Sequence, residues 1–192
     1  MRIFSPLYDR VMGWSRHRHA PRYLFALSFA ESSFFPIPPD VMLAPMSLGQ
    51  RDRAWFFAML TTVASVLGGI AGYFIGVFAF DLIQPWLEGS KYWDQYLRAS
   101  LWFEEWGIWI VFIAGFSPIP YKVFTITAGV IAMAFVPFVL ASLVGRGARF
   151  FMVSGLMVWG GEPMETALRR YIDIIGWVVV GAAVVGYWVF NA

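Results

Sequence analysis

Apolar residues run in long blocks along this chain, and the blocks are bounded by charge. Residues 54–80 contain no charge over 27 positions, 123–145 none over 23, and 174–192 none over 19. A helix needs about 20 predominantly apolar residues to cross a bilayer. Three shorter apolar stretches cover 23–48, 106–121 and 150–161. Glu31 and Asp40 interrupt the first. The last follows Arg146 and Arg149 and continues a helix that starts near Pro137. The pattern predicts full spans at 54–80 and 137–161 and a further transmembrane helix within 162–192.

Composition explains why the blocks are there. Of 192 residues, 59% are hydrophobic and 14% charged, against about 25% charged in a typical soluble domain. A small soluble domain buries only about 70% of its unfolded surface and could not hide this much apolar area. Disorder requires low hydrophobicity and is excluded. With no Cys, disulfide scaffolds, thiol catalysis and Cys-based metal sites are excluded too. The N-terminal apolar run 23–30 meets Glu31 without a clean small-residue cleavage site, so it is read as mature structure.

Charge orients the blocks. Residues 1–22 carry five Arg and one Asp, which predicts a cytoplasmic N-terminus. Ile3, Phe4, Leu7, Tyr8, Val11 and Met12 recur at helical spacing after a Ser5-Pro6 start. That predicts an amphipathic helix lying on the membrane. Residues 81–105 carry Lys91 and Arg98 against Asp81, Glu88, Asp94, Glu104 and Glu105, so this segment is expected on the opposite face. Trp93, Tyr96, Leu97 and Leu101 share a helical face there, predicting a second surface-lying helix over 85–105.

Prolines fall where a spanning helix would not have them. Phe35-Pro36-Ile37-Pro38-Pro39-Asp40-Val41 is echoed by Ser117-Pro118-Ile119-Pro120-Tyr121-Lys122-Val123, 82 residues on. Proline removes a backbone donor, clashes with the preceding turn and pushes its predecessor out of helix. Pro36, Pro38, Pro118 and Pro120 are therefore expected to break helices. Broken backbone at membrane depth is tolerated only inside protein or beside water. The expectation is two re-entrant hairpins, 22–48 and 106–135, entering from opposite faces as an inverted repeat. Arms of 14 and nine residues in the first copy span roughly 21 and 14 Å, enough to reach mid-membrane. Gly68, Gly72 and Gly76 form a small-residue ridge on the intervening span, expected to seat a hairpin closely.

The fold class expected is thus an all-α integral membrane protein, with transmembrane helices, two re-entrant hairpins and interfacial helices. Its divisions are 1–20 as a basic interfacial helix, 21–161 as the membrane domain, and 162–192 as a polar loop and C-terminal transmembrane helix. Glu162-Pro163 and Arg169-Arg170 mark that loop.

Five ionisable residues lie within the apolar region: Glu31, Asp40, Lys122, Arg146 and Arg149. Each costs about 2.5–3.5 kcal/mol at the bilayer centre, so five unpaired would cost on the order of 12–18 kcal/mol. They must pair, hydrate or change protonation. Asp40 and Lys122 occupy equivalent repeat positions, which predicts a direct or water-bridged contact between them. Arg146 and Arg149 share a helix face, and Gly145 and Gly147 leave room beside Arg146. The set suits a site in which Lys122, Arg146 and Arg149 hold phosphate oxygens while Glu31 or Asp40 takes up a proton. His17 and His19 sit in the basic tail without a third ligand, so no metal site is expected. Phosphate-loop, dinucleotide and zinc-helix motifs are absent, as is any nucleophile–base constellation. No enzyme activity, cofactor or nucleic-acid partner is expected.

With these residues in view, the chain resembles the DedA family, also described as the VTT or SNARE-associated membrane domain, in its YqaA-like branch. The resemblance runs over about 25–161. It rests on Glu31, Phe35-Pro36-Ile37-Pro38-Pro39-Asp40, Gly68-Gly69 and Gly72, Phe116-Ser117-Pro118-Ile119-Pro120-Tyr121-Lys122, Ala128-Gly129 and Gly145-Arg146-Gly147-Ala148-Arg149-Phe150. It implies a small bacterial inner-membrane protein with two re-entrant hairpins. Relatives are linked to flipping undecaprenyl phosphate or phospholipids, and others to proton-motive-force maintenance and drug or alkali tolerance. The family's acidic pair corresponds to Glu31 and Asp40. Many members place an Arg shortly before the second proline motif, where this chain has Gly115, Phe116 and Ser117.

The expected function is movement of a lipid, a polyprenyl phosphate or phospholipid, between leaflets, with protons as a coupling ion. The alternatives are a proton- or cation-coupled transporter of a small solute that supports membrane potential, and a non-transporting scaffold. Membrane lipids are the expected partners, and an oligomer is left open.

Overall fold

A computed structural model describes residues 17–34, 37–90, 93–117 and 120–161. The N-terminal interfacial helix, the C-terminal transmembrane helix, Pro36 and Pro118 lie outside the described residues. Among the described residues all regular structure is helical. The helices are α1 (Ala20–Ser33), α2 (Asp40–Gly49), α3 (Ala54–Glu88), α4 (Trp93–Phe116), α5 (Tyr121–Val130) and α6 (Phe135–Gly161), with a 3-10 turn Arg51–Arg53 before α3.

Helix α1 starts with Pro21 in its first turn, where a missing donor costs nothing. It runs parallel to α3. Ser28 Oγ donates to Thr61 O at 2.8 Å, Ser32 and Ser65 hydroxyls meet at 2.7 Å, and Ser33 Oγ donates to Gly68 O at 3.0 Å. The break after Ser33 turns the chain, and α2 returns to the end where α1 began. Ala20, Leu24, Leu43, Met46 and Phe57 share one core cluster there, joined by Phe150 from α6.

Helices α4 and α5 make the second hairpin from the other end. Tyr96 near the start of α4 stacks on Phe80 of α3, with ring centroids 4.9 Å apart. Helix α5 runs back beside α3 until Tyr96 Oη reaches Val130 O at 3.4 Å. Its contacts keep a parallel register: a Cβ on Gly69 would meet Tyr121, one on Gly72 Thr125, and one on Gly76 Ile126. Ala132 then takes a left-handed φ of 52° in the tight turn to α6, a conformation that costs about 1 kcal/mol for a residue with a Cβ. Tyr73 Oη holds that turn by donating to Met133 O at 2.7 Å. Helix α6 descends antiparallel to α3, from Phe138 beside Tyr73 to Gly161 beside Arg51.

Among the described residues, two helices are long and apolar enough to cross a membrane, Arg51–Leu82 and Phe135–Gly161. Their outer faces carry exposed Trp55, Phe56, Met59, Phe78, Leu82, Leu140, Val144, Leu156 and Trp159. The interior instead holds hydroxyls: Ser28, Ser32, Ser47, Thr61, Ser65, Thr125, Ser142 and Ser154 are all fully buried. Apolar side chains outside and hydroxyls between helices are what a lipid solvent selects, because lipid gives no hydrophobic reward for helix association.

One expected boundary is corrected. No break separates a surface helix 85–105 from a hairpin starting at 106. Helix α4 is continuous through Glu104, Glu105 and Gly107, and α3 itself runs on to Glu88. Gly107 is buried rather than hinging, because a Cβ there would meet the Met133 thioether. Pro85 is accommodated inside α3, one turn from its end, where only a terminal-turn bond is lost.

Candidate functional site: charges at the helix breaks

The tips of the two hairpins meet near the middle of α3 and α6. Helix breaks release backbone carbonyls that need partners. Phe34 N–H still bonds back to Ala30 O at 2.8 Å, but the Phe34 carbonyl faces the other hairpin, where Lys122 Nζ donates to it at 3.3 Å. At the second break, Arg149 Nη1 donates to Ser117 O at 2.6 Å and to Phe116 O at 3.3 Å. Cations at carbonyl ends also satisfy the helix dipole. Arg149 thus arrives from α6 at the place where the sequence lacks an Arg before Pro118. Thr125 Oγ1 adds a bond across the tips, to Ser32 O at 3.4 Å.

Asp40 does not pair with Lys122. Its Oδ2 accepts from Arg149 Nη2 at 2.7 Å. Equivalence in the repeat brings both residues to the tips, but the Lys122 ammonium is engaged by the Phe34 carbonyl. Arg149, two-pronged and coming from a third helix, reaches the carboxylate instead.

Glu31 pairs with Arg146, Oε2 to Nη2 at 2.6 Å. Arg146 Nε donates to Ser65 Oγ at 2.6 Å, and Nη2 also approaches Ser32 Oγ at 3.4 Å. Ser32 Oγ in turn donates to Glu31 Oε2 at 3.1 Å. The guanidinium lies between two rings, 4.9 Å from the Tyr121 centroid and 4.6 Å from that of Phe150. A desolvated cation–π contact contributes about 2 kcal/mol. Tyr121 is fixed by a short hydrogen bond from its hydroxyl to Ser142. The arrangement joins α1, α3, α5 and α6 in one polar network.

The glycine ridge supports these positions. A Cβ on Gly68 would collide with Phe29 O of α1, and one on Gly76 with Ile126 O of α5. Gly129 of α5 answers from the other side, against Tyr73 O. On α6, a Cβ at Gly145 would come 2.6 Å from Phe112 O, so the glycine beside Arg146 admits α4 rather than a ligand. Pro38 and Pro120 lie just before α2 and α5, and Pro39 and Pro120 are the N-cap residues of those helices. Asp40 falls in the first turn of α2, where a carboxylate is favoured. His17 and His19 sit outside the bundle with ring centroids 5.3 Å apart, and no group of three metal-binding side chains occurs among the described residues.

The hydroxyl partners Ser32, Ser65 and Ser142, and the ring of Tyr121, were not among the expected site residues. A signal for some of them exists. Ser28 with Ser32, and Thr61 with Ser65, stand four residues apart on single faces of apolar helices, where an exposed hydroxyl would face lipid.

Two helices long and apolar enough to cross a membrane, two opposed broken hairpins and a charged seam between them fit an α-helical membrane protein of transporter-like build. A VTT domain matches residues 37–158, and the chain belongs to this family, the DedA family, as a YqaA-like member. It is 51% identical over 191 residues to an uncharacterised protein of Haemophilus influenzae, covering 100% of both chains. It is 28% identical over 176 residues to undecaprenyl phosphate transporter A of Staphylococcus aureus, covering 84% of this chain and 85% of that one. It is 23% identical over 137 residues to inner membrane protein YqaA of Escherichia coli, covering 71% and 90%. No solved structure matches the chain.

Proposed function

We propose that this protein moves a lipid phosphate between the leaflets of a bacterial inner membrane, with its N-terminus cytoplasmic and both hairpins re-entrant. The observation that carries this reading is the meeting of two opposed helix breaks at one charged seam. Broken helices at mid-membrane are where transporters bind substrate and coupling ion. Among the five charges, three cations against two acids leave positive charge in excess, so the seam favours an anion. The staphylococcal relative named for transport of undecaprenyl phosphate supports an amphiphilic phosphate rather than a soluble one. Apolar faces flanking the seam suit the lipid's chain, which stays in the bilayer while the headgroup crosses.

The test is reconstitution into liposomes with a polyprenyl phosphate or phospholipid labelled in one leaflet. Protein-dependent exposure of the label in the other leaflet is expected. No movement of any lipid phosphate or phospholipid overturns the reading. The competing reading, a proton- or cation-coupled carrier of a small solute, is favoured by the two carboxylates on the first hairpin. It predicts ion-dependent flux in the same liposomes without lipid movement, lost when Glu31 or Asp40 is neutralised.

A further inference from the structure

Two arginines on one face of α6 are held in different ways, and the difference assigns them different tasks. Arg146 is closed. Its side chain is 3% exposed, both Nε and Nη2 have partners, and two rings cover its faces. A ligand that took the Nε–Nη2 edge of Arg146 would displace both Ser65 and Glu31 and leave a carboxylate stranded in the interior.

Arg149 is open in the chemical sense. Its side chain is 16% exposed and that of its partner Asp40 22%. Arg149 Nε and Asp40 Oδ1 are buried atoms without a hydrogen-bond partner. The pair is therefore half satisfied on both sides, a state that natural interiors seldom keep without a reason. Its remaining bonds go to the Phe116 and Ser117 carbonyls and can be re-formed after a small rotation. Lys122 stands at the same junction, exposed enough to swing, with a single carbonyl partner.

We infer that Arg149, with Lys122 beside it, is the docking residue for a phosphate headgroup, that Asp40 is the resting counter-ion the headgroup displaces, and that Arg146 with Glu31 is a positioning unit that never touches the ligand. This rests on the lipid-phosphate reading above and narrows it to one side chain. The forked guanidinium matches a phosphate's two oxygens. Once the phosphate takes the fork, the idle Nε gains a partner, and Asp40 turns its carboxylate toward the open side.

The experiment is binding to the purified full-length protein in detergent, read by intrinsic Trp fluorescence, with thermal unfolding measured alongside. The probes are a short-chain isoprenyl monophosphate and, separately, inorganic phosphate. Arg149→Lys keeps the charge and loses the fork. It is expected to weaken isoprenyl phosphate binding about tenfold or more with little change in Tm, the equivalent of one charge-assisted contact. Arg149→Gln combined with Asp40→Asn, which leaves no stranded charge, should abolish it. Ser65→Ala removes the Arg146 Nε acceptor and should lower Tm while leaving affinity within about threefold. Wild-type affinity in both Arg149 variants, or affinity lost in Ser65→Ala at unchanged Tm, overturns the assignment while the lipid-phosphate reading stands. If wild type binds neither probe and moves no lipid phosphate in liposomes, both fall. Equal affinity for the two probes identifies free phosphate as the ligand and overturns the headgroup assignment.

Discussion

The two hairpins share a break and differ in everything charged around it. Each sends back a ten-residue second arm after its break, Asp40–Gly49 or Tyr121–Val130. The first carries both acids, Glu31 before its break and Asp40 after it, and each acid is answered by an arginine of α6. The second carries Lys122 and no acid near its tip, and it is held by an apolar core that includes Tyr121, Phe138 and Val111. The two second arms match in length while the chemistry at the breaks differs. One hairpin is moored to α6 by ion pairs, the other by packing and by hydrogen bonds from Arg149 and to Ser142.

The largest disruption should come from what the hairpins have in common. Gly68→Leu pushes α1 off the spine of α3, and Gly129→Leu does the same to α5, because each new side chain meets backbone rather than a flexible tip. Both variants are expected to yield no monodisperse protein on size exclusion. A folded Gly129→Leu protein with unaltered Tm would show that the second hairpin is not seated as described. Next comes Arg146→Met, which strands Glu31 and is expected to cost about 3–5 kcal/mol. Adding Glu31→Leu should restore most of the loss, since removing both members of a buried pair is often close to neutral. Hydrogen exchange should show the single variant loosening α1 far more than α5. Equal loosening would break the contrast between the hairpins.

Asp40→Asn should be milder, about 1 kcal/mol, because the pair is part-exposed and Asn still accepts from Arg149. The smallest effect belongs to Lys122→Met, at most about 0.5 kcal/mol, for one long bond to the Phe34 carbonyl near solvent. Thermal midpoints in a single detergent rank these variants. Lys122→Met falling below Asp40→Asn would mean that the hairpins depend on their mutual contact more than on α6.

Much of this was legible because charge and proline act at single positions. The span in α3 shows as a charge-free run, the first part of α6 as another that ends at Arg146, and the breaks show as Pro-x-Pro, whatever the tertiary structure. The seating of Gly68, Gly72 and Gly76 follows from the same logic of small residues every fourth place. What stayed hidden depends on register. Nothing local to Asp40 says that Arg149, 109 residues away, slides past Lys122 to reach it. That is decided by how far α6 descends along α3. Continuity of α4 was hidden for another reason. Glu104-Glu105 reads as an aqueous boundary, yet two exposed carboxylates midway along a helix do not interrupt it, because Glu is a good helix former. The hydroxyl network was masked by composition, since a lone Ser in an apolar run looks neutral until its neighbour on the facing helix is known.

Helix α3 touches both hairpins through bare backbone, with carbonyls of Phe29 and Ile126 resting where side chains would otherwise stand. Contacts of that kind do not slide, because any axial shift drives a neighbouring side chain into the carbonyl. The spine is therefore a fulcrum. Each hairpin body is fixed to it through backbone contact, whereas the tips are held by side chains, Lys122 on the Phe34 carbonyl and Arg149 on those of Phe116 and Ser117. Whatever freedom the hairpins have is therefore greater at the tips, where a side chain can let go, than along α3, where backbone meets backbone.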